Sequence, residues 1–149
     1  NTNLMNDINL FFDKPEHSLI KKNLKLFCKE ILDYKGYSNY LISLIFIDEE
    51  KLKEMKYEFF DQDLYTDVIA FNLNNKKEDL EGEVYLSFNT IKDNAKLYDT
   101  GLENEVKRVI AHGLLHLMGY EDDNENKKEE MTQLEDLFIK LFNHIELTC

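Results

Sequence analysis

Three residues in the last third of the chain, His112, His116 and Asp122, have the types and spacing to hold a metal ion. Residues four apart on a helix project from the same face, so two imidazoles placed this way can point at one ion. Gly119 allows a sharp reversal after the helix, which brings a residue three further on back beside the histidines. The pattern is His-x-x-x-His-x-x-Gly-x-x-ligand, and register selects Asp122, although Glu121 and Asp123 flank it and compete for third place. Two histidines four apart are, taken alone, more often a surface pair or hydrogen-bonded core residues. The glycine and the carboxylate at ligand spacing tip the balance toward a site. Three protein ligands leave one coordination position open, the mark of a catalytic rather than a structural zinc. An ion so held lowers the pKa of bound water toward ~7 or polarises a substrate oxygen. One Zn2+ is the expected cofactor, with another divalent ion as the alternative.

The elements that must position these residues can be read from periodicity. Glu103 to Met118 has helical spacing and ends at Gly119, a natural left-handed cap, so the histidines sit near the end of a helix. Before it, Ile8–Phe12 reads as a strand, Ser18–Tyr34 as an amphipathic helix stopped by Gly36, and Tyr40–Ile47 as a β-branched and aromatic strand. Asp48 then caps a charged helix through Leu52, Met55 and Phe59. Thr66–Leu73 and Glu83–Phe88 read as paired strands separated by a polar loop, Asn74 to Gly82. Asn89–Tyr98 and Asn126–Phe142 complete the helices. Strands come early and helices accumulate late, with no internal repeat or flexible linker. The expected fold is therefore α+β, a single domain over residues 1–149, with about four strands in a mixed sheet, packed helices and the metal site at the end of a central helix.

Composition narrows the function. The chain has 149 residues, and its ten Phe and eight Tyr furnish a core. Lys and Arg number 18 against 30 Asp and Glu, a formal net charge of -12. Such a field opposes long-range attraction of nucleic acid or anionic membranes, so a polyanionic substrate must be met by a locally basic cleft and by the ion's own charge. The longest apolar runs, such as Leu41–Ile47, are far short of the ~20 residues that span a bilayer, and no membrane partner is expected. Two cysteines, Cys28 and Cys149, are too few for a disulfide framework, and no signal peptide is visible. The expected location is the reducing cytoplasm. The chain begins at Asn1, and its first few residues are expected to stand outside the fold.

From about Leu41 to Leu137 the sequence resembles the YbeY family of bacterial endoribonucleases. The family signature His-Gly-x-Leu-His-Leu-x-Gly-Tyr-Asp-His is matched at nine of eleven positions by HGLLHLMGYED, His112 to Asp122. The family segment Thr-Asp-Val-Leu-Ser-Phe corresponds to Thr66–Phe71, and Gly-Asp-Ile-x-Ile-Ser to Gly82–Ser87. Downstream, Glu130, Met131 and Glu135 fall where the family has an acidic helix with a Met; they read as ordinary helix surface and core and receive no chemical role. Two departures stand out. The third family ligand is His where this chain has Asp122, a harder oxygen donor that lowers the charge of the site and can alter metal preference. The family arginine six residues before the Thr is replaced by Phe60, and Arg108 is the chain's only arginine. Losing an arginine fork weakens phosphate binding or passes that duty to lysines such as Lys53, Lys56 or Lys107, which otherwise read as solvated surface.

The resemblance implies a metal-dependent endoribonuclease cutting single-stranded RNA in ribosomal RNA 3′ end maturation and ribosome quality control. Its implied partners are ribosomal RNA, ribosomal subunits and ribosomal proteins. Asp67 is a candidate base near the ion, or a strand-start carboxylate capping backbone. Ser87 is a candidate to hydrogen-bond substrate or the sheet. Arg108, one turn before His112, is a candidate phosphate contact or a partner of Glu105 or Glu103. Two other readings remain. One is a non-catalytic ribosome-assembly factor with a structural metal. The other is a zinc peptidase, since metzincin-type proteases share the ligand spacing, but they require Glu immediately after the first His, where this chain has Gly113.

Overall fold

A computed structural model describes residues 6–74 and 79–149; residues 1–5 and 75–78, the latter inside the expected hairpin loop, lie outside the described residues. The elements in chain order are β1 (Asp7–Phe12), α1 (Lys21–Tyr34), β2 (Asn39–Phe46), α2 (Glu49–Phe60), β3 (Val68–Asn74), β4 (Asp79–Leu86), α3 (Phe88–Leu97), α4 (Leu102–Leu117) and α5 (Glu125–Leu141). The four strands form one sheet in the order β1-β2-β4-β3. β1, β2 and β4 run parallel, and β3 pairs antiparallel with β4 as an edge strand. The expected α+β fold with a four-stranded mixed sheet is borne out.

Alternation along the strands decides which face is covered. In β2, Tyr40, Ile42, Leu44 and Phe46 are buried while Leu41, Ser43 and Ile45 are half-buried, the period of a strand with one core face. Val84 and Leu86 of β4 continue that face, and the buried stripes of α1, α3, α4 and α5 close over it in a continuous hydrophobic cluster. α4 lies at the centre, touching the sheet and the other three helices of this layer. It is buried on nearly every side, and Arg108, His112 and His116, four residues apart in turn, form its half-exposed stripe. Close approach of α4 to the sheet depends on Gly113, where an added Cβ would lie 2.7 Å from Val84 Cγ1.

α2 stands apart from this layer, with Leu52 its single buried residue. Its Asp48 cap is as expected, accepting from Lys51 N at 2.9 Å. At its other end Phe59 and Phe60 meet Phe71, which shares with Tyr85 the sheet face opposite α4.

Most boundaries fall within two residues of the sequence reading, and two differ by more. α1 starts at Lys21 rather than Ser18, because Leu19 bridges Thr148 and Ile20 N donates to Leu147 O at 2.8 Å. The C-terminal segment thus claims residues whose spacing alone suits a helix. β4 begins at Asp79, within the stretch Asn74–Gly82 read as loop, because β2 offers a parallel partner over its whole length. Asn39 Nδ2 donates to Asp79 Oδ1 at 3.0 Å across that pair. No described helix is long and apolar enough to cross a membrane.

Candidate metal centre

α4 carries His112 and His116 to its C-terminal end, and the reversal that follows supplies the third group. Gly119 has φ +101°, in the left-handed region, and Gly119 N and Tyr120 N donate back to His116 O and Leu115 O, each at 3.0 Å. That turn delivers Asp122 beside the histidines. Among the described residues, His112, His116 and Asp122 are the His, Cys, Asp or Glu group whose ligand atoms all lie within 4.8 Å of one another. Glu121 also lines the cleft there, but the convergent carboxylate is that of Asp122.

The triangle of donor atoms fits an ion. His112 Nε2 and His116 Nε2 are 3.1 Å apart, and Asp122 Oδ2 is 3.5 Å from each. Ligands at ~2.05 Å on a tetrahedral zinc stand about 3.3 Å from one another. The far side of each imidazole supports the same orientation. His112 Nδ1 is 2.7 Å from Glu135 Oε2, and His116 Nδ1 is 3.0 Å from the Tyr120 carbonyl oxygen. With both Nδ1 atoms donating to these acceptors, both Nε2 atoms present lone pairs to a carboxylate that only accepts. Three acceptors converging at these distances are relieved by a cation among them or by a proton on one imidazole, and a partner oxygen behind each imidazole is the usual arrangement at metal sites. The His112 pKa is raised: burial, the largest single influence, pulls it down, but the Glu135 hydrogen bond and the charges of Glu135, Asp122 and Asp67 together outweigh it.

The three candidate ligands open onto a cleft of about 450 Å³ between the C-terminal end of α2, the edge strand β3 and the Glu121–Asp122 turn. His112 and His116 are 27% and 28% exposed, so the triangle faces this space rather than the core. Asp67 lies on the wall at the start of β3, half-buried. Its Oδ2 accepts from Asn94 Nδ2 at 3.3 Å, and its carbonyl oxygen accepts from Ser87 N at 3.1 Å. The Asp67 pKa is raised, chiefly by burial, against lowering by its own backbone amide, His112 and Asn94. Lys56 is the single lysine or arginine among the described residues lining the cleft, and Phe60 stands beside it on the same wall.

Other residues singled out in the sequence are engaged elsewhere. Ser87 is fully buried, and its hydroxyl caps α3, accepting from Thr90 N at 3.2 Å; it is not presented to substrate. Arg108 pairs with neither Glu105 nor Glu103. Its guanidinium bridges Glu135 Oε1 at 3.0 Å and Asp136 Oδ1 at 2.6 Å, so two carboxylates occupy the fork that a phosphate would need. Lys107 is buried rather than solvated, its Nζ donating to Phe142 O at 3.1 Å and Asn143 O at 3.4 Å and lying 3.5 Å from Glu103. It ties the end of α5 to α4. Sequence reasoning misses Glu135, whose position reads as ordinary helix. The signal was there: Met131, Glu135 and Phe138 fall on one buried stripe of α5, and a carboxylate in such a stripe requires a partner.

Position 113 also bears on the peptidase reading. A protease of that type needs a glutamate there, but the position faces Val84 and Val68 with no room for a side chain.

Residues 10–143 match the family model described as Endoribonuclease YbeY. The chain is 35% identical over 140 residues to the Endoribonuclease YbeY of Cytophaga hutchinsonii, covering 92% of this chain and 98% of that protein. Against the protein of the same name from Christiangramia forsetii it is 39% identical over 105 residues, 70% of this chain and 72% of the other. Among solved structures, the solution structure of TM1509 from Thermotoga maritima superposes with a TM-score of 0.60 at 27% identity, covering 93% of each chain.

Proposed function

The chain belongs to the endoribonuclease YbeY family, and from that membership we propose that it hydrolyses phosphodiester bonds of single-stranded RNA with a divalent ion, Zn2+ in the first instance, at His112, His116 and Asp122. The observation that carries the reading is the triangle of three acceptor atoms at tetrahedral-edge separations, open on one side to a cleft. When bound, the ion supplies Lewis-acid polarisation of a phosphate oxygen and activation of water.

The chain's own residues then divide the work. Glu135 and the Tyr120 carbonyl fix the imidazole planes so that the Nε2 lone pairs face the cleft. Asp67 is the carboxylate we assign as base for the attacking water. Burial pushes its pKa up, the direction that strengthens a carboxylate as a base. Lys56, on the wall of the cleft, is the residue we assign to a substrate phosphate, in the role the family arginine would fill from the position of Phe60. In the cell the substrate is ribosomal RNA, at 3′ end maturation and in quality control of ribosomal subunits, in the cytoplasm.

Protein stripped of metal, reloaded with Zn2+ and offered structured and unstructured RNA tests this. Cleavage confined to unstructured RNA, lost on stripping and in His112→Ala, is expected; equal cleavage by His112→Ala contradicts it. A second reading, a non-catalytic assembly factor with a structural ion, is favoured by one observation, the carboxylates that occupy Arg108. It predicts binding to ribosomal subunits with no zinc-dependent cleavage by any preparation.

A further inference from the structure

The end of α2 and the segment after it expose an unusual amount of aromatic surface. Tyr57 is 59% exposed, Phe59 57%, Phe60 43% and Tyr65 52%. Contiguous exposed apolar surface on a soluble domain marks a contact site more often than an accident. Phe60 is the member of this group that lines the metal cleft, together with Lys56 one turn earlier. Its ring is held from behind, stacked on Phe71 with centroids 5.9 Å apart and planes 22° from parallel, while Phe71 meets Phe59 and Tyr85 edge-on at 5.3 and 5.8 Å. The Lys56 ammonium lies 4.9 Å from the centroid of Phe60. The pairing recurs just before the cleft wall, where Lys53 Nζ lies 4.4 Å from the centroid of Tyr65.

An aromatic ring backed by Phe71 and an ammonium beside it, on the wall of a cleft whose other charged side chains among the described residues are acidic or are the histidines, suit one kind of occupant. A single-stranded nucleic acid offers a flat π face and a phosphate at each step. Its bases stack on aromatic side chains in a sequence-tolerant way, while its phosphates take lysine. A duplex has its bases already stacked and cannot use such a ring. An acidic peptide would satisfy Lys56, but its Asp and Glu side chains bring no aromatic ring to Phe60.

We propose that Phe60 is a stacking platform for one nucleobase of a single strand lying in the metal cleft, and that Lys56 leaves the ring for the adjoining phosphate when the base arrives. This deepens the RNA-cleaving reading above and rests on it for the identity of the strand. It gives this chain a means of holding substrate at the position where it lacks an arginine: specificity for unpaired bases replaces a phosphate clamp.

The test is equilibrium binding of the zinc-loaded protein to a short 2′-O-methyl oligonucleotide carrying 2-aminopurine, whose fluorescence is quenched on stacking. Wild type is expected to quench it. Phe60→Leu, which keeps the apolar contact with Phe71, is expected to lose the quench and bind about 5- to 100-fold more weakly, while Phe60→Trp stays within about threefold of wild type. A strand abasic at the probe position should bind wild type as weakly as the complete strand binds Phe60→Leu. Lys56→Gln should keep the quench but flatten the log affinity against log salt slope by about 0.7. Unfolding midpoints in urea confirm that each variant is folded. Unchanged affinity and quench in Phe60→Leu would overturn the platform, as would displacement of the strand by an acidic peptide with no quench in wild type. Parallel cleavage of unmodified RNA separates the two readings. Zinc-dependent cleavage with Phe60→Leu behaving as wild type removes the platform alone, whereas a Phe60-dependent quench without any cleavage removes the nuclease alone.

Discussion

Glu135→Gln preserves the shape of the side chain behind His112 and removes only its charge. The wild-type carboxylate is 7% exposed, accepts from His112 Nδ1 at 2.7 Å through one oxygen and from Arg108 at 3.0 Å through the other. The Gln amide oxygen can serve one of these donors, but its NH2 then faces the other donor. The imidazole loses both electron donation and part of its orientation. Changes at such partners typically cost 10- to 100-fold in metal affinity, about 1.4 to 2.7 kcal/mol. The glutamine should fall near the lower end, and Glu135→Ala, which leaves half-exposed Arg108 with Asp136 alone, near the upper. Competition for Zn2+ against a chromophoric chelator measures this directly, with His112→Ala as the reference for losing a ligand outright. If both Glu135 variants bind Zn2+ within twofold of wild type while His112→Ala does not, the account of how His112 is held is wrong.

Other consequences can be measured independently. Gly119→Ala meets no steric obstacle but forces a Cβ-bearing residue to φ +101°, so it should cost about 1 to 3 kcal/mol in urea unfolding and weaken Zn2+ binding through misplacement of Asp122. An unchanged unfolding midpoint and Zn2+ affinity would deny the turn its role. Gly113→Ala places a methyl 2.7 Å from Val84 Cγ1 and should destabilise by about 1 to 3 kcal/mol, partly restored by Val84→Ala; simple additivity of the two changes would show that they do not meet. Burial pushes the Cys28 thiol from 9.0 up to about 12. Below the lower value both folded and unfolded forms are protonated. Above it only the unfolded form ionises, so stability should fall by up to about 1.4 kcal/mol per pH unit until the folded thiol also titrates. In Cys28→Ala that share of the alkaline slope should be absent, and an identical slope in both proteins would contradict it.

The parts of the site legible in the sequence are those fixed by local geometry. His112 and His116 share a helix face whatever surrounds them, and Gly119 sets where the chain turns, so the position of the third candidate ligand follows from spacing. What escaped depends on packing between segments distant in sequence. Glu135 is 23 residues from His112 and becomes its partner only because α5 lies along α4. Lys107 looks like any surface lysine until the end of α5 supplies carbonyl oxygens to its ammonium. The true start of α1 is set by a C-terminal segment more than a hundred positions away in the chain, where Cys149 N donates to Ser18 O. The polar start of β4 reads as loop because its stabilisation comes from register with β2 rather than from its own side chains.

The central claim is that two imidazoles and one carboxylate hold an ion and leave it open to the cleft. X-ray absorption at the metal edge of Zn2+-loaded protein, read alongside the Asp122→Ala variant, tests it most directly. The account predicts two imidazole nitrogens and a carboxylate oxygen at about 2.0 to 2.2 Å, a solvent oxygen completing the set, and loss of one oxygen contribution in the variant. A spectrum with four protein ligands, or one unchanged by removing Asp122, would contradict it.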